Sequence, residues 1–458
     1  MPHYSILTVE LNHSNHGIER VIRDTVGLFR DAVKFLGPII LTHWEDIRIK
    51  NKQEQLGVVE ELIHTTKNHH AVYPEFDERF YKFPSYYRRS AINFTLGQVS
   101  SYLTRKKEYE VKRYNAISNG KHFREKAPVL QLDTVAWPSM YKNQMYFREG
   151  ETSLCLKVRI RNTWDWIRLN ISGRDRKSIE KTLAAGGKLS SPQLILKNKK
   201  VYLQFPVVHS TVDFPDTELP EQKVLAVDLG INHGAVCSVV DARGTIHGRF
   251  FDPFSRERDS ISHLLNKIRK VNYSSGKGQS LAAIYTKLDG VKGNYVRQLA
   301  HWIVQTAREQ GVYGIIMEYL GPMKGRGRKK DRIHHWCKKK IFDFVNGLAL
   351  RYGIRVFRVN PRNTSALAFD GSGPVSRNEK NFSLCTFANG KQYHCDLNAS
   401  YNIGARYFLR AYQKAMLVTA WSECMAKVPA LSKRTDGTLC VLREFSKLLT
   451  PELLSNAA

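Results

Sequence analysis

The chain has 458 residues and a mass of 52.6 kDa, enough for two or three domains with a sizeable core. Lys and Arg total 71 against 42 Asp and Glu, a net charge of +29, which points to a polyanionic partner and says nothing about fold. With 42% hydrophobic residues it is no disordered tail, and its longest apolar run, Phe35 to Leu41, is far short of the ~20 residues of a bilayer span. Seven scattered cysteines form no disulfide framework, and the opening residues lack a charged segment followed by an apolar one. A secreted or membrane protein is not expected.

Residues 1–10 (MPHYSILTVE) read as one short strand. The apolar period then becomes helical. Ile18, Val21, Ile22, Phe29, Ala32, Val33 and Leu36 share one face, and Gly37-Pro38 should break that helix. Helical patterns continue to about Glu125, interrupted by the aromatic stretch YPEFDERFYKFPSYYRRS. From about Ala127 the period is 2: Leu154, Leu156, Val158 and Ile160 alternate with Lys157, Arg159 and Arg161. Leu194 to Val208 reads as two short strands joined across Asn198-Lys199. Residues 127–210 are therefore expected to form a small all-β, barrel-like unit that takes in the opening strand.

VDFPDTELPEQK, rich in proline and acids, reads as a linker. Three strand-like runs follow, VLAVDLG, GAVCSVVD and GTIHGRFF, then helical patterns over about 256–311. The strand YGIIMEYL, a very basic segment, a helix and the strand IRVFRV come next. NASYNIGARYFLRAYQKAM reads as a helix carrying Asn402, Arg406 and Arg410 on one side, and beyond about Pro429 no pattern stands out.

Three acids interrupt this apolar background. Asp228 lies inside VLAVDLG, and Glu318 repeats the situation in GIIMEYLG. An acid in a buried strand is costly without a partner, and a divalent metal is a common one. Asp396, in HCDLNASYNI, stands where an N-cap would be. For Asp396 the ordinary cap and for the other two a polar strand end stay open as readings. Together, however, the three hard carboxylates suit two-metal hydrolysis of a phosphodiester.

VLAVDLGINHGAV, GIIMEYLGPMKGRGRKK and CDLNASYNIGAR, in this order and with long insertions between them, resemble the three split RuvC motifs of TnpB transposon nucleases and type V CRISPR effectors. The motifs cover about 222–412, and the layout of the whole chain agrees more loosely. The resemblance implies a multidomain α+β protein. A small β-barrel of residues 1–10 and 127–210 would carry a helical recognition insertion at 11–126, followed by an RNase H-like (RuvC) α/β nuclease domain at 222–458. It implies Asp228, Glu318 and Asp396 as catalytic acids holding two Mg²⁺ ions; Asn398, two residues past the third acid, is placed to steady that acid or its ions. It also implies RNA-guided cutting of double-stranded DNA, with one protomer per guide RNA; the scattered cysteines suit a reducing cytoplasm, expected to be prokaryotic. A guide encoded in a transposon end and a separate CRISPR RNA are both compatible with it. So, outside that activity, are a nuclease-inactive RNA-guided repressor and a DNA-only transposase.

Relatives carry a four-cysteine zinc ribbon between the second and third acids. Here the segment at about 364–395 retains Cys385 of the four expected thiols, so a degenerate ribbon without zinc is expected. Cys395, Cys337, His334, His335 and His394 are the other donors nearby. Lys324 to Lys340 holds nine basic residues against one acid; it is a solvated loop or a basic lid, with Lys324, Arg326, Arg328, Lys329 and Lys330 as candidate nucleic-acid contacts. Near the amino terminus Tyr81, Phe83, Tyr86 and Tyr87 mix with Arg88 and Arg89. Aromatic core and a nucleic-acid face are both open there, and Arg88 and Arg89 are candidate phosphate contacts. Trp164 and Trp166 face the same alternative. Walker, GxGxxG and HExxH motifs are absent from the sequence.

Overall fold

The computed structural model describes residues 3–12, 16–120, 122–132, 136–209, 213–230, 234–274, 281–321, 337–377, 381, 383–433 and 435–449. The chain divides into two units, Pro2–Ser210 and Thr211–Ala458. The division falls at the acidic, proline-containing linker. Among the described residues no helix is long and apolar enough to cross a membrane.

The first unit opens with β1 (His3–Asn12). The helices α1 (His16–Thr42), α2 (Trp44–Arg48), α3 (Lys52–Ile63), α4 (Glu75–Arg79) and α5 (Ser85–Ser118) follow. Then come β2 (Tyr146–Glu149), β3 (Ser153–Ile160), β4 (Thr163–Ile171), α6 (Gly173–Ala184), β5 (Lys188–Leu189), β6 (Gln193–Lys197) and β7 (Lys200–His209). The strands form one antiparallel sheet in the order β2-β3-β4-β1-β7-β5, with β6 also on β7. The opening strand is thus central: Leu11 pairs with Ile171 on one side and Val201 on the other. Asn198 and Lys199, both at positive φ, make the tight β6–β7 turn that the sequence marked. Met140 N donates to Pro192 O and Leu194 N to Pro138 O, so the segment entering β2 at one edge is bonded to β6 at the other.

Sheet and helices share one core. Val9 of β1 and Leu156 of β3 belong to the same buried cluster as Phe29 and Leu36 of α1 and Tyr87 of α5. Phe76, Phe80, Phe83 and Tyr87 run in ring contact to Trp164, so most of the aromatic stretch is core. Tyr81 is the exception, at 74% exposed. The expected boundary between barrel and helical insertion is therefore no break in packing.

Two local expectations need correction. Gly37-Pro38 does not end α1, which continues to Thr42. Pro38 removes one N–H near the helix end, and burial of Ile39 and Ile40 outweighs that loss. Nor is 127–210 all-β. In α6 the Ser172 hydroxyl caps Asp175 N at 3.1 Å, and the Asp175 carboxylate accepts from Glu10 N at 3.0 Å.

The second unit is built on β8 (Lys223–Gly230), β9 (Gly234–Asp241), β10 (Ile246–Phe251), β11 (Gly314–Glu318) and β12 (Arg355–Val359). Their order is β10-β9-β8-β11-β12; β10, β9 and β8 are antiparallel, while β11 runs parallel to both β8 and β12. Helices α7 (Ser255–Ser274) and α8 (Ala282–Glu309) lie between β10 and β11, and α9 (Lys338–Leu350) between β11 and β12. A small sheet, β13 (Ser376–Arg377), β14 (Leu384–Thr386) and β15 (Gln392–His394), leads into α10 (Cys395–Ala415), α11 (Val418–Lys427) and α12 (Leu439–Ser446). The stretch beyond Pro429 thus does carry a helix.

Leu225 and Val227 of β8 pack with Leu299 and Ile303 of α8, while Val224 and Ala226 pack with Ile403 and Phe408 of α10. Burial on both faces explains why VLAV reads as an unbroken apolar run. Gly404 lets α10 lie close: a Cβ there would stand 2.7 Å from Val240 and 3.3 Å from Ala226. The shared core of the first unit makes a direct prediction. A fragment of residues 1–210 should melt cooperatively by circular dichroism, whereas 127–210 alone should show no cooperative transition.

Candidate active site

The sheet order brings the first two acids side by side. Met317 pairs with Val227 in the parallel β8–β11 ladder, and one residue further Glu318 stands beside Asp228. Glu318 also pairs with Val359 on β12. Asp396 arrives from far along the sequence in the first turn of α10. It is not the N-cap that the sequence suggested. His394 is the cap, its Nδ1 accepting from Asp396 N at 3.2 Å, so the Asp396 carboxylate is spared that duty.

Burial, together with the charges of Glu318 and Asp396, pushes the Asp228 carboxyl well above the usual carboxylate range; Arg377 offsets part of this. Burial also raises Glu318, against the opposing effects of Thr364 and Arg406. Asp228 therefore feels the charge of both other acids, Glu318 from the end of β11 and Asp396 from the first turn of α10. Among the described residues no three His, Cys, Asp or Glu side chains are grouped as a ready-made metal shell. The donor chemistry nevertheless fits a hard divalent cation: buried carboxylate oxygens repel one another, and added positive charge would relieve that repulsion.

One face of α10 holds the surrounding loops. Asn398, Asn402 and Arg406, spaced by four residues, are all buried. Asn398 donates to Leu367 O at 2.9 Å and accepts from Phe369 N at 2.7 Å. Both ends of its amide are used on backbone, so Asn398 holds a loop and is not bonded to Asp396. Asn402 donates to Thr364 O and Leu367 O at 3.0 and 2.9 Å and accepts from Leu439 N at 3.1 Å. Arg406 donates to the carbonyls of Asn360, Arg362, Thr435 and Gly437. The clamped loop carries Thr364, whose hydroxyl donates to Glu318 Oε1 at 2.5 Å. The sequence placed Asn402 and Arg406 on one helical side without revealing this task, and it gave no signal for Thr364.

A 440 Å³ groove opens beside Glu318, with Tyr319, Lys338, Lys339, Phe342 and Arg358 among its walls. The Arg358 guanidinium lies 4.3 Å from the Phe342 ring centre and 5.2 Å from that of Tyr319, which is 58% exposed. Lys338 Nζ donates to Gly321 O, and partial burial lowers its pKa. The candidate contacts Lys324, Arg326, Arg328, Lys329 and Lys330, like His334 and His335, lie outside the described residues.

Two other expectations can be located. Cys385 and Cys395 are buried among Ala368, Phe369, Phe387 and Tyr393, and burial raises both thiols, Cys385 to about 12. Arg88 is turned inward, 8% exposed, with its Nε 3.5 Å from Glu60. A phosphate at the surface does not reach a side chain so placed, and this corrects the expectation for Arg88. Arg89 shares Glu60 at 3.2 Å and keeps an exposed flank.

Residues 5–160 match the model of the Aq_aa04 family. A TnpB-like protein, ORF457 of Acidianus two-tailed virus, is 27% identical over 196 residues, 40% of this chain. The chain resembles TnpB-like proteins. The match spans 41% of that relative's length. Two solved structures are also similar. A Cas12f1–sgRNA–target DNA complex matches at 13% identity over 88% of this chain and 99% of that one, with a TM-score of 0.42. The mini RNA-guided endonuclease CRISPR-Cas_phi3 matches at 13% identity over 88% of this chain and 92% of that one, with a TM-score of 0.47.

Two predictions follow from the charge balance and the clamp. A carboxyl raised in the folded state favours folding when protonated, and that contribution is lost as pH rises through its folded pKa. Asp228→Asn should therefore melt above the wild type in EDTA at neutral pH, at about 2–4 °C per kcal/mol relieved. Differential scanning calorimetry should show the gap closing as pH falls and as Mg²⁺ is added. Asn402→Ala removes its bonds to Thr364 O and Leu439 N, while Leu367 O keeps Asn398, and should cost about 2–4 kcal/mol in urea unfolding.

Proposed function

We propose that this protein is an RNA-guided DNA endonuclease in which Asp228, Glu318 and Asp396 are the catalytic acids. The observation that carries the reading is the convergence of acids from three distant segments at the ends of β8, β11 and α10, in a protein of charge +29. The mixed five-stranded sheet is what an RNase H-like nuclease domain requires, and the likeness to a TnpB-like protein agrees with it.

Asp228, Glu318 and Asp396 would hold two Mg²⁺ ions, which when bound supply an activated water and charge stabilisation at the leaving oxygen. The chain's own residues prepare for that chemistry. Thr364 fixes one oxygen of Glu318, and the other would be available to an ion. Asp396, released from capping by His394, presents its carboxylate from the first turn of α10. In the groove, Lys338, Lys339 and Arg358 would neutralise the backbone of a DNA strand while Tyr319 offers a face to an unpaired base.

In this reading a bound guide RNA selects the target by base pairing, and the protein reads backbone shape and a short flanking motif. The first unit, as a barrel with its helical insertion, would hold guide and target, with Arg89 on phosphate. One protomer would serve one guide in a prokaryotic cytoplasm.

The test is cleavage of guide-matched double-stranded DNA in Mg²⁺. Asp228→Ala and Glu318→Gln should each lower the rate at least about 100-fold while guide binding is retained. Tyr319→Ala with Arg358→Ala should slow cutting about tenfold without abolishing it. Unchanged cleavage by Asp228→Ala would overturn the assignment.

A further inference from the structure

A second cavity, of about 170 Å³, lies in the nuclease unit between the later half of α10, α11 and the turn at Pro429–Ser432. Leu409, Trp421 and Leu431 give it buried apolar walls, and the exposed Arg410 and Lys433 stand at its rim. Among the described residues no acid lines it.

Trp421 is the unusual member. It is 7% exposed, yet its indole N–H has no acceptor among the described residues. A buried tryptophan N–H ordinarily finds a partner, and an orphan donor in a folded interior calls for a missing one. Arg406 also lines the cavity, but its guanidinium is committed to the four backbone carbonyls already named. The charges left to an incoming group are those of Arg410 and Lys433, neither of which makes an ion pair with a described residue.

An occupant that supplies a flat apolar body, an acceptor for the indole N–H and an anionic group at the rim would match this lining. Size narrows this further. The cavity is well below the ~300–1,000 Å³ of a drug-sized pocket, so it admits one ring system and leaves the remainder in solvent beside the two cations. A nucleotide has this form: a base with ring-nitrogen and carbonyl acceptors, and a phosphate one sugar away. We propose that this cavity binds a single nucleotide, base inward against Trp421 and phosphate on Arg410 and Lys433. Free nucleoside monophosphate and one nucleotide of a bound chain share that chemistry. Cleavage at the three acids plays no part in the proposal.

Calorimetric titration of the RNA-free, full-length protein in EDTA with adenosine 5′-monophosphate tests it. One saturable site is expected. Arg410→Ala with Lys433→Ala, both on the surface, should weaken it about tenfold or more, and adenosine without phosphate should bind the wild type comparably weakly. Trp421→Phe keeps a ring and removes the donor, and should weaken binding severalfold. The same titration with a 5′-phosphorylated hexanucleotide separates the sources. An equal loss in the Arg410/Lys433 double variant assigns the site to a chain-borne nucleotide; a loss confined to the monophosphate assigns it to the free one. Absence of saturation at millimolar monophosphate, or one affinity for wild type and both variants, would overturn the proposal and leave the cavity to ordered water.

Discussion

Asp228 sits partly buried within reach of the charges of Glu318 and Asp396, a repulsion that the surrounding structure has to restrain. The restraint comes from the polar face of α10. Asn398, Asn402 and Arg406 spend their donors on backbone carbonyls of the loops at 360–367 and 435–437, in a setting where an unsatisfied buried group costs about 1–3 kcal/mol. That clamp fixes Thr364, and Thr364 fixes Glu318. The same helix contributes Asp396 from its first turn and is seated on the sheet at Gly404. One helix thus supplies an acid, positions a second and packs on the strand that carries the third.

The sheet makes the arrangement possible. β8 is buried on both faces, so its backbone is fixed, and Asp228 comes near its carboxyl end, where the apolar packing gives way. The parallel neighbour β11 ends on Glu318 beside it. Beyond the acids the surface becomes cationic and aromatic, through Lys338, Lys339, Arg358 and Tyr319, which suits a polyanionic strand. The net charge of +29 therefore has a local counterpart next to Glu318.

Much of this was legible in the sequence, for identifiable reasons. Strands buried on both faces, the β6–β7 turn and the acids inside apolar runs all leave strong local patterns. What escaped depends on tertiary contacts. Pro38 reads as a stop, yet the burial of Ile39 and Ile40 carries α1 past it. Asp396 looks like a cap until His394 is seen to take that role. Arg88 and Arg89 are equivalent in sequence, and only packing turns Arg88 toward Glu60 and leaves Arg89 a free flank. Thr364 lies in a segment with no distinguishing period, and Arg358 lies in a strand whose neighbour the sequence does not name, so their place beside Glu318 emerges only once β11, β12 and α10 are assembled.

The most direct test of the guided reading is to express the protein with its native flanking DNA, purify it and sequence the RNA that accompanies it. The account predicts a single defined species, with a structured scaffold and a variable end that matches the DNA the protein attacks. Heterogeneous cellular RNA without a common scaffold would contradict it. The basic surface would then be binding polyanions without discrimination, and the three acids would belong to a nuclease that works without a guide.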